Sequence, residues 1–296
     1  MQRWWVLGLA LATVCGALAL YAIERSDGQS SRAEGPLFGS TVSVRQGESL
    51  DDAVARIEGE IGRLPIVRVY SAGAPPSWAD VERRAGDSAV VVSFKLAPSD
   101  VLSGALDDQL TEWFRAAPDD RAVYWVYYHE PEDNIESGGF TAAEFRAAWS
   151  HIAALAADID NRHLHSALVL MCWSLEKESG RTWTDYIPTE RSPDVLAWDC
   201  YNRAADDGEY AAPERLFDRS VKISERVGAQ WAVAEVGSEI ASGDGGQGRA
   251  RWLESIVQYA RSKDAAFVTY FHALQDGDYA LTDSASQSAW RRIMSG

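Results

Sequence analysis

The amino-acid sequence predicts a single (β/α)8 barrel, and three observations lead to that fold class. Strand-like and helix-like segments alternate regularly from residue 37 to residue 294, and eight segments are of the strand type. The stretch 36–296 matches the size of such a barrel, roughly 250 residues, because parallel strands need crossovers of this length. No Gly-x-Gly-x-x-Gly turn follows the first strand, which disfavours the doubly wound open sheet, the competing fold.

The eight predicted strands are short, apolar and rich in β-branched or aromatic residues. They lie within the ranges 37–44, 66–70, 89–96, 124–133, 166–173, 195–201, 231–236 and 266–271. The segment 174–192, between the fifth and sixth strands, has little helical periodicity. We therefore expect the fifth helix to be short or replaced by a loop.

Helix starts are marked by capping residues. Ser49 precedes an apolar helical face with Asp52 three residues on, and Thr141 and Glu144 are in capping-box register at the start of a helix over 141–159. Ser99 is expected to cap a helix that runs to residue 114, and a last helix is expected over 282–294. These signals place a helix after most of the strands.

Composition and charge limit the partners. The chain is 46% hydrophobic and 24% charged, which is ordinary for a globular domain. Its formal net charge of −16 opposes binding to nucleic acid or to an anionic membrane surface, since either would repel it. A neutral or cationic ligand fits better, and we expect a monomer.

The N-terminus predicts export. Arg3 precedes an apolar run over 4–23 with small residues near its end, as in a secretory signal peptide. The run is also about as long as a bilayer-spanning helix, roughly 20 residues, so an uncleaved signal anchor is the alternative. A polar linker over 24–35 separates it from the barrel domain, 36–296. We expect that domain to be extracellular or in the cell envelope, with membrane contact only through an uncleaved N-terminal segment.

Cysteines contribute little to the expected architecture. Cys15 lies in the apolar run, which leaves Cys172 and Cys200 in the exported part. Two residues are too few for a disulfide framework and have no metal-site spacing. Each lies near the end of a predicted strand and the strands are expected to be neighbours, so one disulfide and two separate thiols both stay open, with a slight preference for thiols.

Two carboxylates end apolar strands. Glu130 ends the fourth strand and Glu235 ends the seventh. A (β/α)8 barrel carries its active site at the C-terminal ends of its strands, so both side chains are expected at one cavity. An unpaired buried carboxylate costs several kcal/mol, so a Glu in so apolar a strand needs a partner or a function. Two facing carboxyls predict paired acid and base chemistry.

The motifs around these residues resemble the retaining glycoside hydrolases of the large (β/α)8 clan, and most closely glycoside hydrolase family 26. The similar segments are His129-Glu130, Asp199-Cys200-Tyr201, Ala234-Glu235-Val236-Gly237 and the stretch from Trp183 to Asp199. The resemblance implies a retaining hydrolase of β-linked polysaccharides or oligosaccharides, with Glu130 as acid/base and Glu235 as nucleophile. It also implies that Tyr201 orients the nucleophile and that His129 supports the acid/base.

One segment departs from that family. Pro131-Glu132-Asp133 follows the proposed acid/base, where mannanases commonly have a Met-Asn-Gly type of continuation, so the resemblance leaves the sugar open. From the sequence we expect Glu132 to be a solvated loop acid.

Further substrate contacts are expected at the strand ends. The chain has 12 Trp, 11 Tyr and 8 Phe, and flat rings suit the apolar faces of pyranoses. The candidate contacts, aromatic or polar, are Trp173, Tyr201, Tyr270, Arg68, Lys95 and His272. The alternative for Arg68 and Lys95 is a salt bridge at a strand end, and the alternative for His272 is a structural role.

Other chemistries find less support in the sequence. None of the five His residues forms a His-x-His or His-Glu-x-x-His arrangement, and no Gly-x-Ser-x-Gly elbow occurs, so neither a metal nor a cofactor is expected. The competing hypothesis is a saccharide-binding barrel without catalytic activity.

Overall fold

The computed structural model describes residues 35–274 and 277–296, which form a closed barrel of eight parallel strands in chain order. The predicted fold class is confirmed. The strands are β1 Leu37–Thr41, β2 Ile66–Ser71, β3 Ala89–Phe94, β4 Val123–Tyr127, β5 Leu164–Met171, β6 Val195–Asn202, β7 Gln230–Ser238 and β8 Phe267–Tyr270. Pairing of β1 with β8 closes the barrel.

Ten helices are described; nine lie in the connections between strands and the tenth follows the last strand. They are α1 Leu50–Ile61, α2 Trp78–Ala85, α3 Pro98–Leu102, α4 Asp107–Arg115, α5 Glu132–Glu136, α6 Ala142–Ala157, α7 Ala204–Asp207, α8 Pro213–Val227, α9 Gln247–Ser262 and α10 Ser284–Ser295. Three 3-10 turns between Cys172 and Tyr186 occupy the place of the fifth helix, as the sequence predicts.

Two predicted boundaries differ from the structure. The helix expected over 99–114 is two helices, α3 and α4, because Gly104 between them has a φ of +74°, outside the helical region. The first strand ends at Thr41 rather than at residue 44. Two predicted caps are confirmed: Ser49 accepts from the Asp52 N–H, and Thr141 and Glu144 form a complete capping box. The cap predicted at Ser99 is wrong, because Ser99 lies inside α3, whose N-cap is Ala97.

The core has two layers. The larger layer packs between the outer faces of the strands and the helices, and the smaller one fills the barrel interior. The interior is lined largely by small side chains: Ala167, Ala197, Ala232, Ala234 and Gly39. A Cβ at Gly39 would lie 1.8 Å from the Ile66 carbonyl oxygen, so the backbones of β1 and β2 need a glycine there. Small residues leave the interior space that the buried side chain of Arg68 fills.

The predicted export segment lies outside the described residues. Within residues 35–274 and 277–296, no helix has both the length and the apolar character that crossing a membrane requires.

Candidate active site

Alternation along two strands brings four polar side chains into the barrel. Residues two apart on a strand share a face, so Arg68 and Tyr70 of β2 point the same way, as do Asp199 and Tyr201 of β6. All four then meet Glu235 of β7 in one polar cluster.

Glu235 is bound through both carboxyl oxygens. Tyr70 donates its hydroxyl to Oε1 and Tyr201 donates its hydroxyl to Oε2. The Arg68 guanidinium lies 3.3 Å from Oε1. Burial, followed by neighbouring negative charge, raises the pKa of Tyr201, so this phenol stays a donor. Three donors therefore surround the carboxyl group of Glu235, which is buried at 7% exposure.

A β-bulge aims Glu235 into the barrel. Trp198 pairs with Val233 but the next residue, Asp199, pairs with Glu235, so Ala234 is the extra residue in β7. Ala234 faces the barrel interior. Without the bulge, strict alternation would turn the next residue, Glu235, to the outer face of the strand. The bulge is thus the local feature that lets the side chains of both Ala234 and Glu235 point into the barrel.

Glu130 occupies the turn directly after β4. Its φ is +49°, and that of Tyr128 is +51°, both in the left-handed region that non-glycine residues rarely adopt. Burial, and then the negative charge of Glu235, raise the pKa of Glu130 to about 7, against the opposing charge of Arg68. Glu130 therefore stays protonated at pH values at which a Glu is usually ionised.

Asp199 lies between the two glutamates and Arg68. Arg68 donates to Asp199 Oδ1 at 3.1 Å, and both side chains are fully buried. Burial raises the pKa of Asp199 well above its usual value, the charge of Arg68 opposes this, and the negative charges of Glu235 and Glu130 add to it. Arg68 is therefore the cation that contacts both Asp199 and Glu235.

His129 and Lys95 border this cluster. Burial, with the charges of Arg68 and Lys95, holds the pKa of His129 well below its usual range, so the ring is neutral. Its Nδ1 atom is buried and has no hydrogen-bond partner among the described residues. The Lys95 ammonium lies 5.0 Å from the ring centre of Tyr128, and burial lowers its pKa while the charge of Glu130 opposes this. Both side chains offer polar atoms beside Glu130.

The structure brings together only part of the predicted contact set. Trp173 is half exposed, at 50%, on the turn after β5, and is thus open to a ligand. Tyr270 is wrongly predicted as a contact: it is fully buried, packs on Trp290 and donates to the Tyr279 carbonyl. His272 is also wrongly predicted, because it is buried at 2% exposure with Nε2 2.5 Å from Glu60. The prediction for Tyr270 fails because its side chain lies on the outer face of β8, in the layer between the strands and the helices.

Two further expectations need correction. Glu132 is not a solvated loop acid: it is completely buried and accepts hydrogen bonds from the Met171 N–H and the Ser174 hydroxyl. Cys172 and Cys200 form a disulfide rather than separate thiols. The turn after β5 folds back on β6 and α5, and this brings Cys172 to Cys200 and Ser174 to Glu132. The sequence alone does not reveal this fold of the turn.

Two members of the cluster were missing from the predicted contact set. Tyr70 binds the nucleophile candidate, and Asp199 pairs with Arg68, which also contacts Glu235. The signal was present in the sequence, because Tyr70 is two residues from Arg68 and Asp199 is two residues from Tyr201. Across the described ranges, no three His, Cys, Asp or Glu side chains are arranged to hold a metal ion.

Comparisons with known proteins agree on the fold. No family model and no curated protein matches the chain. The catalytic domain of a family 26 endo-β-1,4-mannanase from Bacillus sp. JAMB-750 superposes with a TM-score of 0.59 at 12% identity, covering 90% of this chain and 87% of that one. A modular family 26 endo-β-1,4-mannanase from Cellulomonas fimi gives a TM-score of 0.59 at 15% identity, covering 90% and 71%.

A third similar structure carries a different activity in its name. A glucosidase from Croceicoccus marinus superposes with a TM-score of 0.59 at 13% identity, covering 88% of this chain and 68% of that one. This chain has the fold of these glycoside hydrolases. At such low identity the likeness concerns the fold, so the chemistry must be argued from the residues of the site.

Proposed function

We propose that the protein is a retaining glycoside hydrolase that cleaves a β-linked polysaccharide or oligosaccharide. One observation carries the proposal: a carboxylate held by two phenols and a guanidinium lies beside a second carboxyl that keeps its proton to about pH 7. Two carboxyl groups whose surroundings differ in this way can divide the nucleophile and acid roles between them.

In the first step, Glu130 donates its proton to the glycosidic oxygen as the bond from that oxygen to the anomeric carbon breaks. The Glu235 carboxylate attacks the anomeric carbon and forms a glycosyl ester. In the second step, Glu130, now ionised, takes a proton from water, which attacks the same carbon and releases Glu235. Two displacements at one carbon give a product with the configuration of the substrate.

The hydrogen bonds around Glu235 serve both steps. Tyr70, Tyr201 and Arg68 stabilise the carboxylate before attack and again as it leaves. They also fix its orientation, since each oxygen has its own phenol. His129 and Lys95 supply two polar groups beside Glu130, and the exposed ring of Trp173 on the turn after β5 supplies an apolar face that suits a pyranose ring.

The substrate proposal is limited to β-glycosides of the mannan or glucan type. The names of the similar structures, mannanases and a glucosidase, support this class. The acidic chain, with a net charge of −16, favours a neutral glycan over a polyanionic one. We propose further that the enzyme is exported and acts as a monomer without a cofactor.

The competing function is saccharide binding without turnover. The test is incubation with β-mannan, β-glucan and their aryl glycosides, with release of reducing ends as the measurement. Hydrolysis by the unmodified enzyme, lost in Glu235→Gln, is the expected result. Binding to one glycan in affinity electrophoresis without turnover at high enzyme concentration would favour the binding barrel instead.

A further inference from the structure

The side chain of Glu132 continues the β4–β5 ladder after the backbone of β4 has left the sheet. The two strands pair regularly up to Val126 and Ala167. Beyond this point the Glu130 N–H still donates to the Val169 carbonyl at 3.1 Å. The next N–H along this edge of β5, that of Met171, has no β4 carbonyl to meet, and donates instead to Glu132 Oε1 at 2.8 Å.

The Glu132 carboxyl thus takes the place of a backbone carbonyl, and this matters because the backbone between Tyr128 and Glu132 is strained. Glu130 and Tyr128 both have φ near +50°, and such conformations cost about 1–3 kcal/mol each unless the surroundings impose them. The Tyr128 N–H is held by the Phe94 carbonyl at 2.8 Å on the β3 side. The Glu132 carboxyl holds the other end of the turn, on the β5 side.

The second contact of Glu132 joins the same turn to the segment after β5. Ser174 donates its hydroxyl to Glu132 Oε1 at 3.0 Å, and it lies in the 3-10 turn that begins with disulfide-bonded Cys172. Glu132 has no exposed surface, and its Oε2 atom is buried without a hydrogen-bond partner among the described residues. A carboxyl that is buried at such cost and accepts from the Met171 N–H and the Ser174 hydroxyl has a structural task at the turn.

We propose that Glu132 is a positioning residue for the acid/base Glu130. Its carboxyl clamps the turn after β4 to the end of β5, and so keeps Glu130 in the left-handed conformation that presents its carboxyl to Asp199 and Glu235. The positioning role rests on the proposed function, because that function makes Glu130 the acid/base. The clamp itself concerns only the backbone conformation of Glu130. Glu132 acts through Glu130 and touches no substrate.

The test compares Glu132→Ala, which removes the acceptor, with Glu132→Gln, whose amide oxygen can still accept from Met171 and Ser174. Glu136→Ala, an exposed carboxyl of the same short helix, is the matched control. The probes are the 2,4-dinitrophenyl and phenyl glycosides of β-mannobiose and β-cellobiose. The phenyl leaving group needs a proton from Glu130 and the dinitrophenyl group does not.

For Glu132→Ala we expect kcat/KM to fall about 100-fold on the phenyl glycoside and less than about 5-fold on the dinitrophenyl glycoside, since loss of general acid catalysis costs about 10²–10⁴-fold. Azide should then raise turnover of the dinitrophenyl substrate, because it needs no base to attack the anomeric carbon. The new carbon–nitrogen bond replaces the ester bond, Glu235 leaves as carboxylate, and a β-glycosyl azide forms. Glu132→Gln and Glu136→Ala should stay within about 5-fold of the unmodified enzyme on both substrates.

Equal losses on the two leaving groups, or losses in Glu132→Gln as large as those in Glu132→Ala, would overturn the proposal. If the unmodified enzyme turns over none of the four glycosides, the proposed function fails. Crystal structures of the variants then test the clamp by itself, through the backbone conformation of Glu130. The clamp predicts a negative φ at Glu130 in Glu132→Ala and a positive one in Glu132→Gln. A Glu130 that keeps its conformation in Glu132→Ala contradicts it.

Discussion

Glu130 and Glu235 have the same side chain and differ only in what surrounds it. Three donors face Glu235, whereas Glu130 has the negative charge of Glu235 nearby and lies in a largely buried turn. Surroundings of the first kind favour a carboxylate, and those of the second kind favour a protonated acid. The division of roles in the proposed mechanism follows from this difference between the two sites.

Loss of the acid should depend on the leaving group. Glu130→Ala is expected to lower kcat/KM by about 10²–10⁴-fold on a phenyl glycoside and by less than about 10-fold on the dinitrophenyl glycoside. Steady-state kinetics on both substrates measure this, with Glu112→Ala, an exposed carboxyl of α4, as the control. Equal losses on both substrates would assign the acid role to another carboxyl.

The pH dependence should report the raised pKa of Glu130. Because the acid must be protonated, kcat/KM on the phenyl glycoside should fall as the pH rises through about 7. Glu235→Gln removes a negative charge that raises this pKa, so the pKa of Glu130 should decrease in the variant. Carboxyl ¹³C NMR titration measures it, with Glu130→Gln to assign the signal. An unchanged or higher pKa would contradict the coupling of the two groups.

At the scale of elements, the site depends on features that run against regular strand geometry. The bulge in β7 turns Glu235 inward, and the left-handed turn after β4 presents Glu130. The sequence predicts both strands and both glutamates, because apolar runs and their ends are local signals. It does not predict the bulge or the clamp by Glu132, since each depends on a neighbouring strand that is distant along the chain.

The disulfide ties the turn after β5 to strand β6. Cys200 lies between Asp199 and Tyr201 on β6, and Cys172 begins the turn that carries Trp173 and Ser174. Closing a loop over a sequence separation of 28 stabilises the fold by about 3–4 kcal/mol in the chain-entropy description.

The double variant Cys172→Ala, Cys200→Ala should therefore lose about 2–4 kcal/mol of unfolding free energy. Urea denaturation of the oxidised protein measures the loss, and the unmodified protein in dithiothreitol is the matched comparison. Equal stability of the variant and the oxidised protein would show that the link does not stabilise the fold.

At the scale of the whole molecule, the fold was predictable and the contact set was predictable only in part. Alternating segments and chain length are properties of the sequence, so the barrel followed from them. Tyr270 and His272 were misplaced because the facing direction near the end of β8 depends on packing against α10 and α1, as the contacts with Trp290 and Glu60 show. Tyr201 was placed correctly beside Glu235 because alternation along β6 is regular, whereas Arg68, predicted as a substrate contact, is fully buried and paired with Asp199 and Glu235.

The N-terminal run of the chain is predicted to direct export. A fusion of residues 1–35 to a reporter that is active only after export should give a signal, because the run over 4–23 follows a positive charge and ends in small residues. A variant with two Lys residues in the apolar run is the control and should abolish the signal. An inactive reporter in the unmodified fusion would remove the basis for placing the enzyme outside the cytoplasm.

The central claim is that Glu235 acts as a nucleophile rather than as a base that activates water. The most direct measurement is ¹H NMR of the anomeric proton of the first product released from a β-glycan or an aryl β-glycoside, recorded before mutarotation. Double displacement through a Glu235 ester predicts that the β-anomer appears first and the α-anomer grows in later. A product released first as the α-anomer would mean a single displacement by water and would contradict the account.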